Sequence, residues 1–176
     1  LLELTIDDAH DAMRDGAISC ERLTERFLAR INAYDPPSAA ATAGARESNA
    51  AHPERPVEPT PTLNAIILTN PNALERAREL DRQFATLGQM RPLHCMPVIL
   101  KDNFDTADMP TAAGSSVLAN SLPPDDAYMV RQLRDAGAIV LAKSNMGEWA
   151  FSPYRTISGT HGETRNAYDL ERVPAG

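Results

Sequence analysis

The chain has 176 residues, 43% of them hydrophobic and 23% charged, the ordinary composition of a globular domain with one sizeable core. Its formal charge of −7, from 17 basic and 24 acidic residues, argues against nucleic acid as a partner, because phosphate binding relies on clustered Lys and Arg. No apolar run approaches the ~18–20 residues of a spanning helix, so no membrane partner is expected, and residues 1–30 lack the long apolar stretch of a signal peptide.

In chain order, "LTIDDAHDAMRDG" predicts a short amphipathic helix, with Thr5 as N-cap and Gly16 just past its end. "SCERLTERFLARINAYDPP" predicts a second, opened by Ser19, carrying Leu23, Phe27, Leu28 and Ile31 as its stripe, and stopped by Pro36 and Pro37. From Asp35 to Pro61 the composition turns to Pro, Ala, Glu, Ser and Thr, which predicts an extended or mobile excursion. "LNAIILTN" then reads as a strand, and "NPNALERARELDRQFATLG" as a helix with Asn70 as cap, Pro71 first and Gly88 last. "PVIL" is a buried strand ending at Lys101. "DDAYMVRQLRDAG" is a helix with Met129, Val130 and Leu133 on one face and Asp125 and Asp126 in its first turn. "AIVLAKS" shows no polar alternation and reads as a strand buried on both faces. Strand, helix and strand with short links predict an α/β fold, a mostly parallel or mixed sheet covered by helices. The expected organisation is residues 1–62 as N-terminal helices plus the Pro/Ala-rich excursion, and 63–176 as part of the α/β core.

Cys20 and Cys95 lie far apart, match no zinc or redox spacing, and are expected as reduced core thiols. His10, His52, His94 and His161 are scattered, so no metal site is expected. The chain begins at Leu1, which keeps cytoplasmic and exported locations, the latter after leader removal, both open.

Lys101 stands where a strand of such a sheet ends, and ligand crevices lie outside the carboxyl ends of strands. Position alone favours a lysine that snorkels to solvent. The functional alternative is an amine shielded by Val98, Ile99 and Leu100, with a lowered pKa, serving as a base for a hydroxyl nucleophile.

Three blocks in order, "PLHCMPVILKDNFDTADMPTAAGS", "DDAYMVRQLRDAGAIVLAKSNMGEWAF" and "GETRNAYDLERVPAG", resemble the amidase signature family of serine hydrolases. The resemblance is close over roughly Leu93–Gly176 and looser over the N-terminal helices. It implies amide hydrolysis through a serine, cis-serine and lysine triad and an acyl-enzyme, with Lys101 as the base and no cofactor. It also implies that Asn145 and Met146, in "KSNMGEWAF", border the acyl-binding pocket. The expected substrate is a small-molecule or peptide amide; the acidic balance weighs against a tRNA-linked one.

In that family both serines follow "VPAG", where this sequence stops, so the chain is expected to supply the base and to lack both serines. Only 9 of 176 residues are glycine, in keeping with a missing glycine-rich portion. The expected partner is therefore the remaining C-terminal part of the enzyme, as a continuation or a second chain, and this chain alone is expected to be inactive. The alternative is a non-catalytic binding or assembly module that retains the lysine. Ser115, Ser116 and an adjacent His94/Cys95 pair are weak substitutes as nucleophiles. Trp149 and Phe151 are expected in the core rather than lining a pocket, and Asp102 and Asn103 are expected to fix the lysine loop. Where the family commonly has glycine, Cys95 stands, a disadvantage if that loop requires a positive φ.

Overall fold

The structure, a computed structural model, describes residues 4–37, 63–151 and 154–174. Helix α1 spans Ile6–Arg14 and opens on Thr5, whose hydroxyl accepts from the Asp8 amide while the Asp8 carboxylate accepts from the Thr5 amide. Gly16 takes φ +69° beyond its end. Helix α2, Cys20–Tyr34, starts at Ser19, whose Oγ accepts from Arg22 N at 3.1 Å. A second cap comes from far along the chain: the Asp81 carboxylate accepts the amides of Cys20 and Glu21 at 2.7 and 2.9 Å.

Asp35, expected to open a mobile excursion, is instead a buried clamp. Its carboxylate accepts the amides of Asn64, Ala65 and Ile66 at 2.7–2.8 Å, tying the end of α2 to the start of the next strand. Most of the excursion, residues 38–61, lies outside the described residues.

Strand β1 is Ile66–Thr69, and helix α3 is Ala73–Leu87, closed by Gly88 at φ +66°. The helix begins after Pro71, because Asn70 spends its side chain on an Asx turn, accepting from Asn72 N at 2.9 Å, and on Val140 O. Strand β2 is Pro97–Lys101, helix α4 Tyr128–Asp135 and strand β3 Ile139–Ser144; a short hairpin, β4 Ile157–Ser158 and β5 Gly162–Glu163, was not foreseen. Asp125 and Asp126 precede α4 rather than forming its first turn. Asp126 is drawn off by the Ala107 amide at 2.9 Å and by Arg134 at 2.9 Å. Val130 is fully buried on the expected face, but Met129 is half-exposed.

The sheet has the order β1-β3-β2, with β2 parallel and β1 antiparallel to β3. It is the mixed form of the expected α/β sheet. As its unbroken apolar run predicts, β3 is the central strand and its residues 139–143 are buried. One face packs Ile139 and Leu141 against Met13, Leu23, Ala77 and Leu80 of the helices; the other packs Val140 with Leu100, Met109 and Val130. Helices α1 and α2 thus share a core with the sheet.

Cys20 and Cys95 are fully buried and joined as a disulfide, with Cα atoms 5.3 Å apart, so the expected free thiols are a cross-link. Separation along the chain hid the proximity, which the fold creates by setting the loop before β2 against the start of α2. Cys95 sits at φ +65°: the loop does require the left-handed backbone that glycine would adopt more easily. The bond also removes any His94/Cys95 dyad.

Candidate active site

The parallel pair β2 and β3 ends with Lys101 beside Ser144, and the Asp102 amide donates to Ser144 O at 3.1 Å. The residues expected at the site therefore meet at the carboxyl end of the sheet: Lys101 closes β2, while Asn145 and Met146 follow β3 directly. The expected shielding of Lys101 is absent. Its side chain is exposed and Ile99 is 48% exposed, leaving Leu100 as the buried residue of the three. The physical reason is position: β2 is an edge strand, and among the described residues nothing pairs with its outer side.

The loop that leaves Lys101 is held from within by Asp102. This carboxylate, 2% exposed, accepts the amides of Ala112 and Gly114 at 3.2 and 3.1 Å, while its backbone carbonyl accepts from Ala113 N at 2.9 Å. Burial pushes the Asp102 carboxyl up, opposed by these two amides and by the positive charge of Lys143. Asp102 fulfils the expected anchoring role, whereas Asn103 is exposed. Ala113 and Gly114 both have positive φ, +50° and +72°, and a Cβ on Gly114 would lie 2.8 Å from Met146 O. Ala113 O accepts from Trp149 N and Gly114 O from Gly159 N, at 2.9 and 2.7 Å. The turn at 111–115 is thus a junction between the lysine loop, the segment after β3 and the hairpin. Beside it His161 is partly buried, its Nδ1 2.8 Å from Thr160 Oγ and its Nε2 without a partner among the described residues. Burial lowers its pKa, opposed by the charge of Asp102.

Asn145 and Met146 are 9% and 2% exposed. Asn145 donates from Nδ2 to Asn64 O and Gly162 O, both at 3.2 Å, and accepts from Met146 N at 3.0 Å. In this chain its amide is engaged in joining loops. Trp149 and Phe151 are 61% and 82% exposed, so the expectation that they are core fails; Trp149 lies in a short turn, Glu148–Ala150, with φ +54°.

The amine that is shielded from water belongs to Lys143, which was not foreseen as a site residue. It is 0% exposed, and Nζ donates to Phe104 O at 2.6 Å and to Thr111 Oγ at 2.8 Å. Burial lowers its pKa, opposed by Asp102, Asp105, Asp108 and Asp126. The signal was present in "AIVLAKS": a lysine within a strand buried on both faces must find internal partners.

Among the described residues no group of His, Cys, Asp and Glu is arranged to hold a metal, and no helix is long and apolar enough to cross a membrane. An open polar cavity of about 450 Å³ is lined by residues such as Arg155, Glu163 and Arg172, and by none of Lys101, Asn145 or Met146.

Comparison with known proteins gives the family of the chain. Residues 53–176 match the family model described as Amidase. A glutamyl-tRNA(Gln) amidotransferase subunit of Acidothermus cellulolyticus is 39% identical over 139 residues, 78% of this chain and 27% of that protein. The corresponding protein of Geobacter metallireducens is 34% identical over all of this chain and 31% of its own length. Among solved structures, the native peptide amidase from Stenotrophomonas maltophilia is 37% identical with a TM-score of 0.74, covering 99% of this chain and 32% of that one. An amidase family protein from Bacillus anthracis is 34% identical with the same TM-score, covering 97% and 30%. The chain thus spans about a third of the length of the relatives it matches. With 124 of its 176 residues inside the family model and the lysine block in place at the sheet's rim, the chain belongs to the amidase signature family.

Proposed function

We propose that this chain is the lysine-bearing part of an amide hydrolase. Lys101 is the base, and both serines are supplied by a part of the enzyme outside these 176 residues. Neutral Lys101 takes a proton from the bridging serine, which takes one from the nucleophilic serine as that attacks the amide carbonyl. The C–N bond breaks, the amine leaves with a proton, and water releases the acid from the acyl-enzyme. Asn145 and Met146 border the acyl pocket, and neither a metal nor an organic cofactor is required. The observation that carries this reading is Lys101 at the carboxyl end of an edge strand, inside a segment that matches the family. Desolvation of its amine then falls to the part that docks on that edge, next to the exposed Ile99. Without that part the chain is inactive.

Similarity to the peptide amidase at 37% identity over nearly the whole chain supports a peptide or small amide as substrate. A second reading, one component of a tRNA-dependent amidotransferase, is favoured by relatives of that name at 34–39% identity; the net charge of −7 weighs against it. The Cys20–Cys95 disulfide favours an oxidising compartment. The test is the full-length protein assayed on C-terminally amidated peptides and on glutamine. Lys101→Ala is expected to lower turnover about 10²–10⁴-fold with folding intact. Near-normal turnover in that variant removes Lys101 from its role.

A further inference from the structure

We propose that Lys143 is a positioning residue: from the buried side of the sheet, its ammonium fixes the loop 102–111 and so sets where that loop presents Lys101. The inference rests on the amidase reading above. It starts from a register irregularity. Strand β3 pairs Val140 with Val98, then skips Leu141 and pairs Ala142 with Ile99 and Lys143 with Leu100. Strict alternation would place Lys143 on the face of Ile139 and Leu141, against α2 and α3. The extra residue turns it to the face of Val140, in one row with Leu68 and Leu100 across the three strands.

On that face the ammonium meets a loop rather than a helix. Phe104 O and Thr111 Oγ, seven residues apart in the loop, converge on the one nitrogen, and Thr111 Oγ itself donates to Phe104 O at 3.3 Å. Asp102 closes the next part of the same loop through the amides of Ala112 and Gly114. The direction that the chain takes on leaving Lys101 is therefore fixed at Phe104, Thr111, Ala112 and Gly114 by two buried charged side chains. Lys101 and Ser144 form the adjacent row, whose side chains face the opposite side of the sheet from Lys143. Lys143 consequently reaches the reaction through backbone, with no proton exchanged between the two amines. A lysine that costs free energy to bury is retained, on this account, because a misplaced base is costly to turnover.

The experiment uses the full-length enzyme with Lys143→Met, which keeps the length and apolar stem and removes the ammonium. The expected result is a fall in kcat of about 10–100-fold with KM changed by less than about threefold, and a displaced ascending limb in the pH profile of kcat/KM, where Lys101 loses its proton. A kcat and pH profile within about twofold of the parent overturn the proposal. Should Lys143→Met fail to fold, Thr111→Val decides: a lower kcat at unchanged KM and melting temperature supports it, and an unchanged kcat overturns it. A parent enzyme that cleaves no amide would sink the amidase reading instead. Hydrogen exchange at Ala112 and Gly114 then still reports on Lys143, since the proposal requires faster exchange there in Lys143→Met.

Discussion

At the residue scale the two lysines at the end of the sheet divide accessibility and burial between them. Lys101 is exposed on the edge strand, and Lys143 is enclosed in the centre with its charge spent on two oxygens. The enclosed amine has a pH signature. Burial holds its pKa below the ordinary 10.5, so between the lowered value and 10.5 the unfolded chain binds more protons than the folded one. Stability conferred at this site therefore rises with pH across that window. Urea unfolding of the full-length protein from about pH 7 to 10.5 is expected to show the parent gaining on Lys143→Met as pH rises; a constant difference would contradict the burial argument. Gly114 makes a second residue-scale prediction. Its φ of +72° and the 2.8 Å approach of a Cβ to Met146 O leave no room for a side chain. Gly114→Ala is expected to cost about 1–3 kcal/mol, read as a lower denaturation midpoint.

At the element scale, the helices and strands were legible because each carries its own period and its own caps. Thr5, Ser19 and Gly88 mark boundaries where the sequence placed them, and the apolar run of β3 announced a central strand. The failures share one cause, which is partners distant in the chain. Asp35 reads as loop composition until it is seen to hold the amides of residues 64–66, and Asp126 reads as a helix start until Arg134 and the Ala107 amide claim it. The exposure of Lys101 was hidden for the same reason, since whether a strand lies at an edge depends on sheet order rather than on its own residues. Lys143 was legible in principle, as a charge inside an unbroken apolar run, but its acceptors Phe104 and Thr111 were not. Asp35→Ala is the element-scale test: it strands three backbone donors at the joint between α2 and β1 and is expected to destabilise by about 3 kcal/mol in denaturant titration.

At the scale of the whole molecule, the described part leaves apolar surface uncovered. Val117, Phe151 and Tyr154 are more than 80% exposed, and Ile99 on the edge strand is half-exposed. A surface of this kind invites association. The 176-residue chain alone is expected to elute from a sizing column as oligomers or aggregates, and a clean monomer would argue that this surface needs no cover. The disulfide contributes at the same scale. Joining residues 75 apart, it stabilises the fold by about 4 kcal/mol in the chain-entropy view, a loss that Cys20→Ala should reveal as a lower melting temperature.

That bond also makes a covalent ring of everything from α2 to the loop before β2. A protease that nicks the backbone once between Cys20 and Cys95 cannot release either piece. The severed molecule would migrate as a single band on a gel until a thiol reagent is added, and only then separate into two.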